Sequence, residues 1–411
     1  MRKITTALLL SALLLCVPLT ARGQEIDLSP TPAATAAPEP LRLPPVSQGP
    51  LLDVPPIHPD CAAALLMEAD SGQIIFQMNA DTPRPVASVT KVMTILLTLE
   101  QIDAGRLSPG DAVTVSESAA GMGGSQVLLD VNERQTVDTL LRCMIVGSAN
   151  DAAVALAEAM YGSEALCAEA MNRRAEALGM TGSHFENCTG LPAQGQHTTA
   201  RDVAIMSRQM FAHPRYFDHS AVWMEDIDHG DGRITQLVNT NKLLRLCDGC
   251  DGGKTGSTDE AGYCVSATAK RGDMRLIAVV LGASSGKQRF AIAREMLEYG
   301  FANYRKYPVA VRGTRVKGRL PVTGGADEGV ALMLDGNLTL LMNKGDQPQF
   351  RLVPELPESV PAPVEAGQIV GHVAVVSGER AIARIPVVAC ETVPAKSLGI
   401  RRILQRWIAE I

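Results

Sequence analysis

Residues 85–94 read PVASVTKVMT and lead into an apolar run, residues 89–99, that has the 3.6-residue period of a buried helix. Ser88 lies at the start of this helix, where the helix dipole favours developing negative charge. Lys91 lies three residues later, on the same face and one turn along. Burial among apolar residues lowers the pKa of a lysine, and a neutral lysine is a competent base for a serine hydroxyl. The segment therefore predicts a serine–lysine pair suited to nucleophilic catalysis.

Two further short motifs follow along the chain. Ser148-Ala149-Asn150 comes after a helix predicted over residues 138–146, where a loop can present a hydroxyl and an amide together. Lys254-Thr255-Gly256 leads toward a hairpin predicted over residues 263–281. On an edge strand these residues offer a cation and a hydroxyl to a carboxylate, and the glycine permits close approach of a ligand. In this order, S-x-x-K, S-x-N and K-T-G resemble the motif set of class A β-lactamases and penicillin-binding proteins.

The wider sequence resembles the low-molecular-mass penicillin-binding proteins that are D-alanyl-D-alanine carboxypeptidases, serine peptidases of the S11 type. Beyond residues 85–94, the matching segments are 148–152 (SANDA), 189–191 (TGL), 195–200 (GQHTTA), 239–244 (NTNKLL) and 251–256 (DGGKTG). The resemblance covers roughly residues 60–300. It implies an α/β (α+β) penicillin-binding-protein/β-lactamase-like transpeptidase fold, an antiparallel sheet flanked by helices, with a small C-terminal all-β domain. The chain departs from the family at residues 247–250 (CDGC) and at Gly253, where a larger apolar residue is common.

The resemblance also implies a catalytic role for each motif. Ser88 would be the acylated nucleophile, Lys91 its general base, and Ser148 the relay of a proton to the leaving D-alanine. Attack by a serine on an amide is slow unless the developing oxyanion is stabilised, and the backbone N–H groups of Ser88 and Ser257 would stabilise it. The family chemistry needs no metal and no cofactor.

The implied substrate is a peptidoglycan stem peptide that ends in D-Ala-D-Ala, and β-lactams would be covalent inhibitors. Asn150 would hold the acyl side of the peptide. Lys254 and Thr255, followed by Gly256 and Ser257, would bind the terminal carboxylate.

The N-terminal region has the pattern of an exported protein. Residues 1–23 are predicted to be a signal peptide, because Arg2 and Lys3 precede a short apolar run and small residues fit cleavage after Gly23. Its removal takes the formal net charge from −6 to −9. Residues 24–59 are Pro-rich and predict an extended linker. We therefore expect the protein at the outer face of the cytoplasmic membrane, in the cell envelope.

The remaining chain divides by the type of periodicity. Residues 60–306 mix helix and strand signals and predict the catalytic domain, whereas residues 307–392 carry short β-rich runs between Gly and Pro turns and predict a small all-β domain. Residues 393–411 close the chain, and from Lys396 onward they have the pattern of a basic amphipathic helix with an interfacial Trp407. That pattern predicts association with an anionic membrane surface, and packing on the β domain is the alternative.

Within the catalytic domain, periodicity predicts a hairpin over residues 61–78 and helices over residues 152–160, 164–178 and 200–212. Thr199 is the predicted N-cap of the last helix. His197 and Asp202 lie beside this helix start. Because Lys91 and Ser148 already supply proton transfer, these two residues are predicted to be structural.

Composition and cysteine usage exclude several classes. The 411 residues are 46% hydrophobic, enough for two folded domains, yet no run of about 18 apolar residues exists, which excludes a polytopic membrane protein. The net charge is acidic and no basic run occurs before the last residues, so the sequence lacks the cluster of positive charge that binds nucleic acid. Cys143 and Cys167 are predicted to be buried, in the role of small apolar side chains. Cys247 and Cys250 are predicted either to form a local disulfide or to remain two free thiols.

Three other functions compete with the carboxypeptidase. A class A β-lactamase needs a glutamate that activates the deacylating water. Glu186 lies at the distance after Ser148 where that glutamate is expected, but no E-x-x-x-N motif is present there. Glu186 is therefore predicted to be a surface residue. A non-catalytic envelope-binding protein is expected to have lost Ser88, Lys91 or Lys254, and all three are present. A D,D-transpeptidase shares the acylation chemistry and stays open.

Overall fold

The computed structural model describes residues 57–347, 349–377 and 379–396. The predicted signal peptide, most of the predicted linker and the predicted amphipathic helix beyond Lys396 lie outside the described residues. The described chain forms two compact units. One comprises residues 57–309 and 338–347, and the other comprises residues 310–337, 349–377 and 379–396.

The first unit is built on a five-stranded antiparallel sheet. The strands up to residue 310, of which five form this sheet, are β1 (Ala63–Glu68), β2 (Ile74–Met78), β3 (Ala112–Thr114), β4 (Arg134–Thr136), β5 (Met224–Asp228), β6 (Ile234–Val238), β7 (Cys250–Thr258), β8 (Gly262–Arg271), β9 (Met274–Ala283) and β10 (Tyr304–Ala310). The order in the main sheet is β2-β1-β9-β8-β7. The predicted hairpins over residues 61–78 and 263–281 are the pairs β1–β2 and β8–β9. One edge of the sheet is β7, which carries the K-T-G motif.

Helices cover both faces of this sheet. They are α1 (Lys91–Asp103), α2 (Glu117–Ala120), α3 (Val137–Arg142), α4 (Asn150–Tyr161), α5 (Glu164–Ala177), α6 (Ala200–Phe211), α7 (Pro214–Ser220), α8 (Leu243–Leu246) and α9 (Gly286–Asn303). Because side chains alternate along a strand, Ile277 and Val279 of β9 face the core under α1 and α6, and Leu276 and Ala278 face the core under α9. Two buried faces explain why β9 is almost continuously apolar.

Two helices differ from the periodicity, one at its start and the other at its end. The helix predicted over residues 89–99 begins as a 3₁₀ turn, Ala87–Thr90, before α1. The helix predicted over residues 138–146 is α-helical only in α3 and continues as a π-helical segment, Cys143–Gly147. Such segments arise where backbone hydrogen bonds are re-registered, and they are frequent at functional sites. The predicted cap of α6 is confirmed, since Thr199 Oγ1 accepts from the backbone N–H of Asp202 at 3.0 Å.

The second unit is all β, as predicted. The strands beyond residue 310 are β11 (Arg315–Thr323), β12 (Gly329–Leu334), β13 (Leu338–Asn343), β14 (Arg351–Glu355), β15 (Val360–Pro361), β16 (Ile369–Ser377) and β17 (Arg380–Ala389). Six of them form one sheet in the order β14-β16-β17-β12-β11-β15.

The boundary between the units differs from the continuous β domain predicted over residues 307–392. Strand β13 leaves that domain and pairs with β10 in the first unit. Leu341 of β13 joins the apolar core under α9, and its backbone N–H donates to Gln73 Oε1 at 2.8 Å. The β domain is therefore interrupted by residues 338–347, since this strand has its apolar partners elsewhere.

The part of the chain that the structure describes contains no helix both long and apolar enough to cross a bilayer. Its eight cysteines are free thiols, and Cys143 and Cys167 are fully buried, as predicted. Within the same residues, no group of His, Cys, Asp and Glu side chains has the arrangement of a metal site.

Candidate active site

The S-x-x-K motif spans the junction between the 3₁₀ turn and α1. Ala87, just before the motif, has a left-handed backbone with φ +50°, and Lys91 is the first residue of α1. Side chains three residues apart eclipse one another in a 3₁₀ turn. The Nζ atom of Lys91 accordingly lies 2.9 Å from Oγ of Ser88.

Lys91 is completely buried. Its Nζ donates to the carbonyl oxygen of Thr189 at 2.7 Å. Burial lowers the pKa of Lys91 to about 7, although the nearby Cys188, Asp151 and Glu164 oppose that shift. A large fraction of the side chain is therefore neutral near pH 7 and able to take a proton from Ser88.

The S-x-N motif follows the π-helical segment. Ser148 has φ +64°, a left-handed conformation that is uncommon outside glycine and that ends the segment sharply. Asn150 begins α4, and its Nδ2 donates to the carbonyl of Gly123 at 2.6 Å. Its Oδ1 is buried and has no hydrogen-bond partner, so this oxygen is free to accept from a ligand N–H. The motif thus presents one hydroxyl and one vacant acceptor.

The start of α4 also fixes the loop before it. The backbone N–H of Asn150 donates to the carbonyl of Ser125 at 2.7 Å. The carboxylate of Asp151 accepts from the backbone N–H groups of Val127 at 3.1 Å and Leu129 at 3.2 Å. The two residues therefore hold the loop of residues 123–129 beside the S-x-N motif.

The K-T-G motif lies on the edge strand β7. Lys254 is buried, and its Nζ donates to Ser148 Oγ at 2.6 Å and to the Thr255 carbonyl at 3.0 Å. Burial, followed by the positive charges of Lys91 and Arg289, holds the pKa of Lys254 well below its ordinary value. Gly256, two residues further along β7, packs against the backbone of Ser88, so the Ser148–Lys254 pair lies beside the Ser88–Lys91 pair. The structure thus brings together four residues, of which the first, Ser88, and the last, Lys254, lie 166 positions apart in the sequence.

The other predicted residues of β7 take distinct positions. The hydroxyl of Thr255 donates to the hydroxyl of Thr240 at 2.8 Å. Ser257, the residue after the motif, is exposed. Both are on the edge strand, beside the free backbone that an extended peptide could pair with.

Two glycines let the backbone close around the nucleophile. A Cβ on Gly256 would lie 2.6 Å from the Val86 carbonyl oxygen and 2.8 Å from the Ser88 nitrogen. A Cβ on Gly190 would lie only 2.0 Å from the Ala87 carbonyl oxygen. Neither distance occurs for real side chains, so β7 and the 189–191 turn can both pack on the segment before Ser88 only because these residues are glycines.

The departure from the family at Gly253 has a local explanation. Its φ of +142° is unfavourable for residues with a side chain, and a Cβ would lie 2.5 Å from the carbonyl oxygen of Ser266 on β8. In this chain a larger residue at position 253 would have to displace the neighbouring strand.

Several residues of the site were not predicted from the sequence. The carbonyl of Thr189 accepts a hydrogen bond from Lys91, and the hydroxyl of Thr240 accepts one from Thr255. Both threonines lie in segments that resemble the family but to which no role was assigned. Arg289 of α9 donates to the Gly256 carbonyl at 2.9 Å. Tyr216 of α7 bonds the backbone of Gly253. No local motif marks Arg289 or Tyr216, because only the tertiary fold brings them to β7.

The residues predicted to be structural have structural contacts. His197 Nδ1 lies 2.6 Å from the Gly195 carbonyl oxygen. Asp202 is buried and accepts from Ser183 Oγ at 2.7 Å. Glu186 is exposed, and its carboxylate contacts His184.

Comparison with known proteins gives the family. Residues 53–285 match the family described as D-alanyl-D-alanine carboxypeptidase, and residues 304–395 match the C-terminal domain of penicillin-binding protein 5. The chain belongs to the D-alanyl-D-alanine carboxypeptidase family. It is 34% identical to the D-alanyl-D-alanine carboxypeptidase DacF of Bacillus subtilis, over 85% of this chain and 90% of DacF. It is also 34% identical to DacD of Escherichia coli, over 84% of this chain and 90% of DacD.

Solved structures agree with this carboxypeptidase assignment. Penicillin-binding protein 5 of Haemophilus influenzae aligns with a TM-score of 0.73 at 30% identity, over 83% of this chain and all of that chain. Penicillin-binding protein D2 of Listeria monocytogenes in its ampicillin-bound form aligns with a TM-score of 0.55 at 31% identity, over 60% of this chain and all of that chain. The predicted fold class and the predicted function, a serine-type D-alanyl-D-alanine carboxypeptidase, are confirmed.

Proposed function

We propose that this carboxypeptidase cleaves the terminal D-Ala-D-Ala bond of peptidoglycan stem peptides through an acyl-enzyme on Ser88. The contact that carries the proposal is the 2.9 Å separation between Lys91 Nζ and Ser88 Oγ. Lys91 takes the proton of Ser88 as the hydroxyl oxygen attacks the carbonyl of the penultimate D-alanine. The backbone N–H groups of Ser88 and Ser257 then bind the developing oxyanion, a contribution of several kcal/mol. Water completes hydrolysis of the acyl-enzyme.

The Ser148–Lys254 pair serves the leaving group in this proposal. The nitrogen of the terminal D-alanine must gain a proton as the bond breaks, and the Ser148 hydroxyl supplies it. Lys254, 2.6 Å away, can replace that proton. Asn150 Oδ1, buried without a partner, accepts an N–H of the acyl-side peptide.

Lys254 and Thr255 are proposed to recognise the free chain terminus. The pKa of Lys254 is depressed chiefly by burial, and an arriving carboxylate counters that cost by offering the ammonium form a partner. Substrate binding therefore favours protonated Lys254, next to the Thr255 hydroxyl on the free edge of β7.

β-Lactams are proposed to acylate the same serine. The Listeria penicillin-binding protein D2 has been solved with ampicillin and with cefotaxime. A β-lactam carries a carboxylate near its reactive carbonyl, so Lys254 and Ser88 can engage it as they would a D-Ala-D-Ala terminus.

Glu186, the glutamate considered for a β-lactamase activity, has an exposed carboxylate that contacts His184 rather than the site of Ser88. This position argues against a β-lactamase. Hydrolysis and acyl transfer share every step up to the acyl-enzyme. We propose hydrolysis as the main outcome, in accordance with the family.

The rate of acylation is expected to depend on the protonation of Lys91. Because burial lowers the pKa of Lys91 to about 7, the base is protonated and inactive below that pH and neutral above it. The second-order rate of penicillin acylation should therefore rise about tenfold per pH unit below the pKa and level off above about pH 8. Stopped-flow measurement from pH 5 to pH 9 tests this. A rate that stays flat down to pH 5 would remove Lys91 from the role of base.

The envelope location is proposed from the sequence of the two chain ends. Residues 1–23 are proposed to direct export, with residues 24–59 as linker, residues 60–306 as catalytic domain and the β domain as a spacer. The basic amphipathic pattern of residues 396–411 is proposed to bind the anionic surface of the cytoplasmic membrane.

Deletion of residues 396–411 is expected to release the exported protein from membranes, because it removes the apolar face that ends in Trp407, Ile408 and Ile411. Activity on a soluble peptide should change less than about twofold, since every site residue lies before residue 300. Sedimentation with vesicles of anionic phospholipid, followed by an activity assay of both fractions, measures this. Continued pelleting of the truncated protein would place the anchor elsewhere.

A further inference from the structure

The CDGC segment between α8 and β7 forms a closed four-residue turn. The backbone N–H of Cys250 donates to the carbonyl of Cys247 at 3.2 Å. Gly249, the third residue, has φ +75°, the conformation that a type II turn requires at that position. The first and fourth Cα atoms of such a turn lie within about 7 Å of each other.

The two cysteine side chains are directed to the same apolar region. Cys247 is 4% exposed and belongs to the core cluster that contains Leu243 and Phe290, and Cys250 packs against that cluster. Disulfides join cysteines whose Cα atoms are about 4.4–6.8 Å apart, provided that the side chains converge. The turn brings the two Cα atoms close enough for a disulfide, and the shared apolar core makes the two side chains converge.

We propose that Cys247 and Cys250 are a disulfide-forming site, and that the bond braces the first residues of the strand that carries Lys254. The structure shows both residues as thiols. An exported protein meets an oxidising environment in which such a bond persists.

Formation of the bond needs an oxidant, and a disulfide of a thiol–disulfide exchange protein or of a small thiol serves. The thiolate of Cys250, the more exposed of the two, attacks that disulfide and expels one thiolate. The thiolate of Cys247 then attacks the Cys250 sulfur and expels the second. The two cysteines lose two protons and two electrons, and the oxidant leaves as two thiols.

The surroundings favour a lasting bond over a catalytic one. Burial raises the pKa of Cys250 to about 12 and also raises the pKa of Cys247. Redox-active cysteine pairs instead have a thiol of lowered pKa. A thiol of high pKa is a poor leaving group, so the bond, once formed, is reduced slowly.

Asn241 contacts both the turn and the first residues of β7. The side-chain nitrogen of Asn241 donates to the Gly252 carbonyl at 3.1 Å and lies 3.9 Å from Cys250 Sγ. The strand has a bulge between Cys250 and Gly252, where its pairing with β8 shifts register. A disulfide at this point restrains the least regular part of β7, four residues before Lys254.

The test uses the full exported protein after incubation with oxidised glutathione. Denaturing alkylation and peptide mass mapping should find the peptide that contains Cys247 and Cys250 about 2 Da lighter and unalkylated. Dithiothreitol should lower the melting temperature by about 4 °C, the effect expected for a short closed loop. Release of D-alanine at 25 °C should change less than about twofold, because the contacts of Lys254 lie beyond the turn.

Matched variants separate this bond from other thiol chemistry. Cys390→Ser removes another partly exposed thiol and should keep the dithiothreitol effect, whereas Cys250→Ser should lose it. Two freely alkylated thiols after oxidation, or a bond from either residue to a different cysteine, would overturn the proposal. So would an equal dithiothreitol effect in Cys250→Ser. If Cys250→Ser does not fold, the mass map of the wild-type protein decides alone.

Discussion

A Ser88→Ala variant is expected to show no covalent labelling by a fluorescent penicillin and no release of D-alanine. The substitution removes the oxygen that lies 2.9 Å from Lys91 Nζ, and with it the only nucleophile to which the proposed mechanism assigns the acyl bond. Loss of a catalytic serine typically costs at least about 10⁴-fold in turnover. Gel fluorescence and a D-alanine assay measure both effects.

The fold should survive this change, because the substitution removes a single hydroxyl and leaves Lys91 bonded to the Thr189 carbonyl. Circular dichroism and the melting temperature provide that control. Ser148→Ala is the matched serine variant: it should label more slowly, and its adduct should map to the peptide that contains Ser88. Labelling of Ser88→Ala at the wild-type level, at Ser148 or at any cysteine, would refute the assignment.

Lys254→Gln is expected to discriminate between free and blocked substrate termini. A carboxypeptidase must sense a free carboxylate, and a charge-assisted hydrogen bond to that group contributes about 1.5–3 kcal/mol. The loss in kcat/KM on a free D-Ala-D-Ala terminus should therefore exceed the loss on the same peptide amidated by roughly ten- to hundredfold. Both substrates should lose some activity, since the variant also breaks the 2.6 Å contact with Ser148.

Lys242→Gln is the matched control, because Lys242 is an exposed lysine in the adjoining segment. It should change kcat/KM less than about twofold on either peptide. An equal fractional loss on the free and amidated peptides in Lys254→Gln would mean that Lys254 acts only on the chemistry of Ser148 and that the terminal carboxylate is bound elsewhere.

Much of the site could be predicted from the sequence because its parts are local. A lysine three residues after a serine in a helical turn must share its face, whatever surrounds the helix, and the Ser88–Lys91 contact follows. The position of Lys254 on an edge strand followed from the β-rich runs of β8 and β9 after it. The motif order then indicated which of these local features belong to one site.

What escaped prediction depends on long-range packing. Periodicity carries no signal for the π-helical segment that ends at Ser148, or for the left-handed conformation of that residue. The Lys91–Thr189 contact joins residues 98 positions apart. The requirement for glycine at Gly253 depends on the neighbouring strand β8.

The β domain shows the same limit. Strands β11 and β14 carry little strand signal in the sequence, because both are largely exposed and rich in charged or proline residues and so lack the alternating pattern. The residues of β13 lie within the β domain predicted over residues 307–392 but belong to the first unit, since their apolar side chains do not reveal which core they join.

The most direct test of an acyl-enzyme carboxypeptidase at Ser88 is one measurement on the pure wild-type protein. It is incubated with a peptide ending in D-Ala-D-Ala, with and without prior penicillin, and D-alanine release and the penicillin adduct are quantified together by mass spectrometry. We predict release of the terminal D-alanine, its loss in proportion to bound penicillin, and an adduct on the peptide that contains Ser88. D-Alanine release that persists when penicillin is fully bound, or an adduct on any other residue, would contradict the account.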